Sequence, residues 1–248
     1  MNRWLVVPCF NEAKRLDQSR ILSYTSTLQC NVLLVNDAST DTTQNLIDEI
    51  VRSSNGAVYS LLMARNSGKA EAVRTGMQWA ISRDATEVGY TDADGAVSEP
   101  DLIQIFVELG AFPSRIGVLG SRVALLGRNI DRTTTRHFTG RVFATFASII
   151  LQQTIYDTQC GAKAFTASKQ LQRSLSSPFV SRWGFDVELL GRMFIEIAKD
   201  GNGHIIELPL QQVLDVSGSK IGVLTGIKTL LELVPIRRSL RQWALQPH

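Results

Sequence analysis

The chain has 248 residues, 20% of them charged, and a formal net charge of +3 at pH 7. That length fills one large domain or two small ones, and so modest a charge argues against a nucleic-acid binder working by bulk electrostatics, leaving any basic function local. Three widely spaced cysteines, Cys9, Cys30 and Cys160, contain no CxxC and argue against a disulfide framework or a zinc site, which fits a reducing compartment.

The first apolar run, residues 4–7, is too short for the core of a signal peptide, and no segment reaches the roughly 18 apolar residues of a membrane span. The expectation is a cytoplasmic protein, soluble or peripheral on the cytoplasmic face of a membrane. Residues 4–7, 32–35, 58–63 and 87–91 read as short strands, with helical patterns over 12–28, 40–53 and 69–83 between them. This alternation predicts a parallel sheet of βαβ units, joined by a fifth strand over 116–120.

Each strand end carries a polar cluster. After the first comes Pro8-Cys9-Phe10-Asn11-Glu12, and after the second Asn36-Asp37-Ala38-Ser39-Thr40-Asp41. Ser39 or Thr40 is placed to cap the next helix, with Asp41 in its first turn. Asp37 precedes the cap at the carboxyl edge of the sheet, where an acidic residue accepts hydrogen bonds from a ribose or base. After the third strand, Arg65-Asn66-Ser67-Gly68-Lys69 opens a helix whose first amides, with Arg65 and Lys69, suit an anion. The P-loop spacing is absent. After the fourth strand stands Asp92-Ala93-Asp94-Gly95. Strand alternation sends Asp92 and Asp94 to the same side, and two hard oxygen ligands there suit Mg²⁺ or Mn²⁺ with a diphosphate attached.

Beyond the fifth strand, Arg122, Arg128, Arg132, Arg136 and Arg141 cluster within twenty residues, and arginine forks bind phosphate oxygens in pairs. Asp186 and Glu188 lie two apart in a helical stretch, on different faces, so at most one faces a reaction centre; Asp186 is preferred. Residues 138–151 form an apolar segment open to either core or membrane contact. A basic amphipathic segment, 221–248, holds Leu224, Ile227, Leu230, Leu231 and Val234 among Lys228, Arg237, Arg238 and Arg241. Pro235 is expected to end or kink its helix. With Trp243 this segment suits an anionic membrane surface, while docking on the sheet or on a second subunit of a homo-oligomer is the alternative.

Four clusters in this order, Pro8/Asn11/Glu12, Asn36-Asp37 with Ser39-Thr40-Asp41, Arg65-Asn66 with Gly68-Lys69, and Asp92-Ala93-Asp94, resemble a family 2 glycosyltransferase. The runs Asp157-Thr158-Gln159-Cys160-Gly161-Ala162-Lys163, Arg182-Trp183-Gly184-Phe185-Asp186-Val187-Glu188 and Gly218-Ser219-Lys220 are similar to dolichyl-phosphate β-glucosyltransferases and bacterial polyprenyl-phosphate relatives. The resemblance implies an α/β fold of GT-A type, three layers about a mostly parallel sheet, with residues 1–220 as the catalytic domain. It also implies inversion at the anomeric carbon, a nucleotide-sugar donor such as UDP-glucose, and Mg²⁺ or Mn²⁺ held by Asp92 and Asp94. Pro8, Asn11, Glu12, Asp37, Asn66, Lys69, Asp92, Ala93 and Lys220 then belong to the donor site, and Arg122, Arg132, Arg136 and Gln159 to that of a polyprenyl-phosphate acceptor. Asp94, Asp157 and Asp186 are the catalytic candidates.

The acceptor decides whether a base is needed. A sugar hydroxyl needs a carboxylate in reach, and Asp157, Asp186 and Glu188 are the candidates; a lipid phosphate is already ionised and needs positive charge instead. The chain departs from the family pattern at Ala70, where glycine is usual, and at Glu71, where small residues are usual; a carboxylate there opposes a diphosphate unless it turns away. Three rival readings are a glycosyltransferase with a hydroxyl acceptor, a catalytically silent sugar-nucleotide-binding protein and a nucleotidyltransferase.

Overall fold

Alternation along the first two strands dictates the layering. In β1 (Arg3–Cys9), Trp4 and Val6 join one core while Leu5 and Val7 join the other; in β2 (Asn31–Asn36), Leu33 and Val35 are divided from Val32 and Leu34 in the same way. Strands buried on both faces need helices on both. The computed structural model, which describes residues 2–130, 134–213 and 223–246 (side chains of 134–138 and 223–229 excepted), supplies them.

The remaining strands are β3 (Val58–Leu62), β4 (Glu87–Thr91), β5 (Arg115–Ser121), the two-residue β6 (Asn129–Ile130), β7 (Ala162–Thr166), β8 (His204–Pro209) and β9 (Gln212–Val213). The main sheet has the order β3-β2-β1-β4-β7-β5-β8, and β6 pairs with β9 apart from it. Neighbouring strands run parallel except around β7, which is antiparallel to both β4 and β5. One edge of the sheet therefore gathers the carboxyl ends of six strands and the amino end of β7.

Helices α1 (Gln18–Thr27), α2 (Thr43–Ser53) and α4 (Glu99–Gly110) cover one face. On the other lie α3 (Lys69–Ile81), α5 (Thr134–Leu151), α6 (Lys169–Ser174), α7 (Phe185–Asp200) and α8 (Val223–Ala244). This is the mostly parallel α/β/α architecture expected.

The boundaries differ from the sequence reading for local reasons. Residues 12–17 form a turn, and Asp17 caps α1 by accepting from the amides of Ser19 and Arg20, so the helix starts at Gln18 instead of 12. Ser39 and Thr40 are not caps: Asn11 N donates to Ser39 Oγ and Asn11 Oδ1 accepts from Thr40 N, tying the first two strand-end loops together. Asp41 instead accepts from Thr43 N, one residue inside α2. Helix α8 runs through Pro235 without ending there. The lost backbone bond is offset by packing, since Leu233, Ile236, Leu240 and Trp243 are all buried. Trp243 thus faces the core, not a membrane, and donates from Nε1 to Glu196 Oε1 at 3.0 Å.

Candidate functional site

The carboxyl edge of the sheet brings the donor-side residues together. Asp92 and Asp94 leave the end of β4 on the same side, half-buried, and between them Ala93 points into the core, so its side chain does not line the site. Asp94 Oδ1 accepts from Ala96 N at 3.0 Å, and Lys69 Nζ lies 2.5 Å from Asp92 Oδ1. Burial opposes the charge on Lys69, but Asp92 and then Asp186 outweigh it and raise its pKa. Glu12 stands close enough to feel both aspartates. Its carboxyl pKa is raised by burial and, more weakly, by Asp94 and Asp92, against the lowering effect of Arg15.

A glycine shapes the floor. A Cβ on Gly161, at the entry to β7, would strike the Asp92 carboxylate, so the sheet edge leaves this carboxylate room that any other residue would fill. Among the described residues no group of three or more His, Cys, Asp or Glu is set to hold a metal. A divalent cation here would take Asp92 and Asp94 from the protein and its remaining oxygens from a diphosphate and water. That donor set fits Mg²⁺ and Mn²⁺, which keep waters and bind through one or two carboxylates.

Asp37 is engaged by the protein itself. It is 2% exposed, and its two oxygens accept from Ser67 N and Gly68 N, both at 2.7 Å. The carboxylate expected on the nucleoside thus braces the loop entering α3, and it occupies two of the amides expected to hold an anion. Asn66 is held at the same place, donating to Asp37 O and accepting from Arg182 Nη2 at 2.7 Å. Pro8 sits in β1 beyond the last pairing with β4, where its missing N–H costs no ladder bond on that side. Asn11 takes a left-handed φ of 56° at the turn that follows.

Asp186 is interior. Lys163 Nζ donates to its Oδ1 at 2.8 Å and to Cys160 O, and the Tyr90 hydroxyl donates to the same carboxylate oxygen. Burial first, then Asp186, pushes the Tyr90 pKa up, keeping that phenol a donor. Asp186 is therefore no general base in this arrangement. Glu188 faces away from the site: it pairs with Arg192 at 2.6 Å and accepts from Val180 N and Ser239 Oγ.

On the far side of β7, Asp157 holds Arg122 through its backbone N, Nε and Nη2 at 3.1, 2.6 and 2.9 Å. Burial opposes the Arg122 charge, yet Asp157 more than offsets this and keeps it protonated. Gln159 lies beside the pair and donates its backbone N–H to Asp157 Oδ1. Together with Arg141, Tyr156 and Thr158 they line a small, partly open cleft. Arg132 and Lys220 lie outside the described residues, and of Arg136 only the helical backbone is described.

The sequence reading missed Tyr90 and Lys163 as partners of Asp186, Arg182 as partner of Asn66, and Glu207, which accepts from the amides of Tyr156 and Asp157. Lys163 stood in a run already singled out; Glu207 carried no local signal.

The profile of Glycosyl transferase family 2 matches residues 4–171. Dolichyl-phosphate beta-glucosyltransferase of Mus musculus is 32% identical over 236 residues, covering 88% of this chain and 68% of the relative. The Homo sapiens protein of that name is 32% identical over 201 residues, covering 75% of this chain and 61% of the relative, so the chain spans about two thirds of their lengths. Among solved structures, glucosyl-3-phosphoglycerate synthase from Mycobacterium tuberculosis, in complex with Mn²⁺, UDP and glucosyl-3-phosphoglycerate, superposes with a TM-score of 0.57 at 15% identity. That superposition covers 98% of this chain and 78% of the other, a likeness of fold.

Proposed function

This chain belongs to glycosyl transferase family 2, and from that premise we propose that it transfers glucose from UDP-glucose to a polyprenyl phosphate with inversion. One observation carries the choice of acceptor: each of the three carboxylates read as candidate bases is tied to a cation, Asp157 to Arg122, Asp186 to Lys163 and Glu188 to Arg192. A phosphate acceptor needs no base, and Arg122 at the end of β5 supplies the charge that attracts it. The names of the relatives point the same way.

An acceptor oxygen attacks the anomeric carbon, the bond from that carbon to the diphosphate breaks, and the nucleoside diphosphate leaves with the electron pair. Asp92 and Asp94 would hold Mg²⁺ or Mn²⁺, which would supply Lewis-acid neutralisation of that leaving charge. Lys69 is placed to exchange Asp92 for a diphosphate oxygen. Glu12, Asn11 and Pro8 close the nucleoside side; Asp37 and Asn66 act by holding the α3 entry in place. Arg122 and Gln159 orient the acceptor, with Arg132 and Arg136 assigned to it, and Lys220 to the donor, by resemblance.

A lipid acceptor also brings the enzyme to a membrane by peripheral contact. Supporting this, α5 exposes Val142, Phe146 and Ile149, and α8 exposes Leu231 and Val234 beside Arg237, Arg238 and Arg241. No described helix is long and apolar enough to cross a membrane.

The test is nucleoside diphosphate release from a panel of sugar nucleotides with Mn²⁺ or Mg²⁺, with and without a short-chain polyprenyl phosphate. Lipid-dependent release from UDP-glucose is expected. Metal-dependent release indifferent to the lipid would overturn the acceptor.

A further inference from the structure

Glu207 lies in β8, in register with Leu119 of β5, but its carboxylate reaches past the strand to the chain that leads into β7. Oε2 accepts from Tyr156 N at 2.7 Å and Oε1 from Asp157 N at 2.8 Å. Two consecutive amides on one carboxylate form a clamp. From the other side, Arg141 of α5 donates from Nη1 to Tyr156 O at 3.1 Å, and its guanidinium lies 3.9 Å from the Tyr156 ring centroid. Asp157, the clamped residue, turns both oxygens to Arg122. Three distant elements, β8, α5 and the end of β5, thus meet on two residues.

The consequence falls on Arg122. Its side chain is 23% exposed, and the bonds to Asp157 commit the Nε–H and one Nη2–H of its five N–H donors. The rest are available to an anion only in the orientation that Asp157 sets. Asp157 has that orientation because its own backbone is fixed by Glu207. A guanidinium displaced by an ångström still pairs with a carboxylate but no longer meets a phosphate at the right place.

We propose that Glu207 is a positioning residue of the acceptor site, acting through the Tyr156–Asp157 peptide to hold Arg122 in the orientation that receives the acceptor's phosphate. The inference rests on the reading of the acceptor as a lipid phosphate. Arg141, although one of the clustered arginines, serves as the second jaw of the clamp and not as an acceptor ligand.

Glu207→Gln keeps the size and replaces one accepting oxygen with an NH₂ that faces an amide donor. With UDP-glucose and farnesyl phosphate as the probe pair, this variant should raise the acceptor KM about tenfold and leave the donor KM within twofold. Glu207→Asp, which keeps both acceptors, should recover part of the loss. An unchanged acceptor KM, or equal rises in both KM values, would overturn the proposal. If Glu207→Gln does not fold, Arg141→Gln attacks the same peptide from the opposite side and must show the same split. A second readout is independent of turnover: the Arg122 Nε–H resonance should exchange slowly in the wild type and broaden or exchange rapidly in Glu207→Gln. An identical resonance in both proteins removes the relay. Absence of lipid-dependent release in the wild type itself overturns the acceptor reading instead, and the resonance then still decides the relay.

Discussion

Lys69 meets Asp92 at 2.5 Å with the two side chains 29% and 35% exposed, whereas Lys163 meets Asp186 at 2.8 Å with 0% and 6% exposed. The residue types are the same, and both pairs join a lysine to an aspartate at the carboxyl edge of the sheet. Their energetics differ. A pair in contact with water is worth about 0–1 kcal/mol and exchanges partners readily, so Lys69 and Asp92 can be drawn apart by a diphosphate and a cation. A buried pair that loses one member strands a charge, at a cost of roughly 3–5 kcal/mol, so Lys163 and Asp186 form part of the frame. Arg122 and Asp157 lie between these limits at 23% and 7%, as suits a pair that is fixed on one side and presented to a ligand on the other.

The sharpest test of the open pole is Asp94. Asp94→Ala should reduce nucleoside diphosphate release by about 10³ or more, about 4 kcal/mol of transition-state stabilisation. Its thermal midpoint should stay near that of the wild type, because Asp94 is half exposed and its one described side-chain bond is to a local amide. EDTA should reproduce the loss in the wild type, with Mn²⁺ restoring it, and have no further effect on the variant. A variant that turns over normally would move the cation elsewhere.

The closed pole predicts the opposite signature. Lys163→Met leaves Asp186 buried with only the Tyr90 hydroxyl, and should cost roughly 3 kcal/mol or more in urea unfolding. Burial without its cation favours the neutral carboxyl over the carboxylate. The loss should therefore shrink when acid supplies the proton, so that the deficit at pH 8 exceeds that at pH 5. A deficit of the same size at both pH values would show that Asp186 is not left charged and alone.

The same contrast explains what could be read from sequence. Strands β1 to β5 and their polar ends are contiguous runs whose role is local: Asp92 and Asp94 face one side because strands alternate, whatever lies elsewhere. The second half is held by partners remote in sequence. Strands β7 and β8 went unread because each carries a charged residue, Lys163 and Glu207, that no periodicity rewards; their reasons lie 23 residues away in Asp186 and 50 away in Asp157. Asp37 shows what position alone leaves out. It sits at the strand end where a ligand contact is expected, but the fold takes both its oxygens for the loop 30 residues on. Glu188 and Asp186 were correctly separated by helical spacing, but spacing could not reveal that both are neutralised inside.

Lys69 tests whether the open pair is a ligand switch. Lys69→Met should lower stability by less than about 1 kcal/mol, since water compensates Asp92, while the KM for UDP-glucose should rise about tenfold. Equal loss in stability and affinity would place this pair with the buried ones.

The smallest effect is expected two residues along, in the same first turn of α3. Glu71 departs from the small residues usual at its position, and a carboxylate facing the diphosphate would repel it. The side chain instead folds back on α3. Arg74 Nε donates to Oε2 at 2.8 Å and Nη2 to Oε1 at 2.5 Å, and Arg74 is itself anchored on Leu175 O at 2.9 Å. The charge is thus balanced within its own helix, and its place in the first turn suits the dipole. Glu71→Gln should change the donor KM by less than twofold and stability by about 0.5 kcal/mol, the usual worth of an i,i+3 pair. A marked improvement in donor affinity would show that the repulsion is real and that Arg74 does not cancel it. Arg74→Met would then separate the two effects, because it frees the Glu71 carboxylate and should weaken donor binding while Glu71→Gln in the same background restores it.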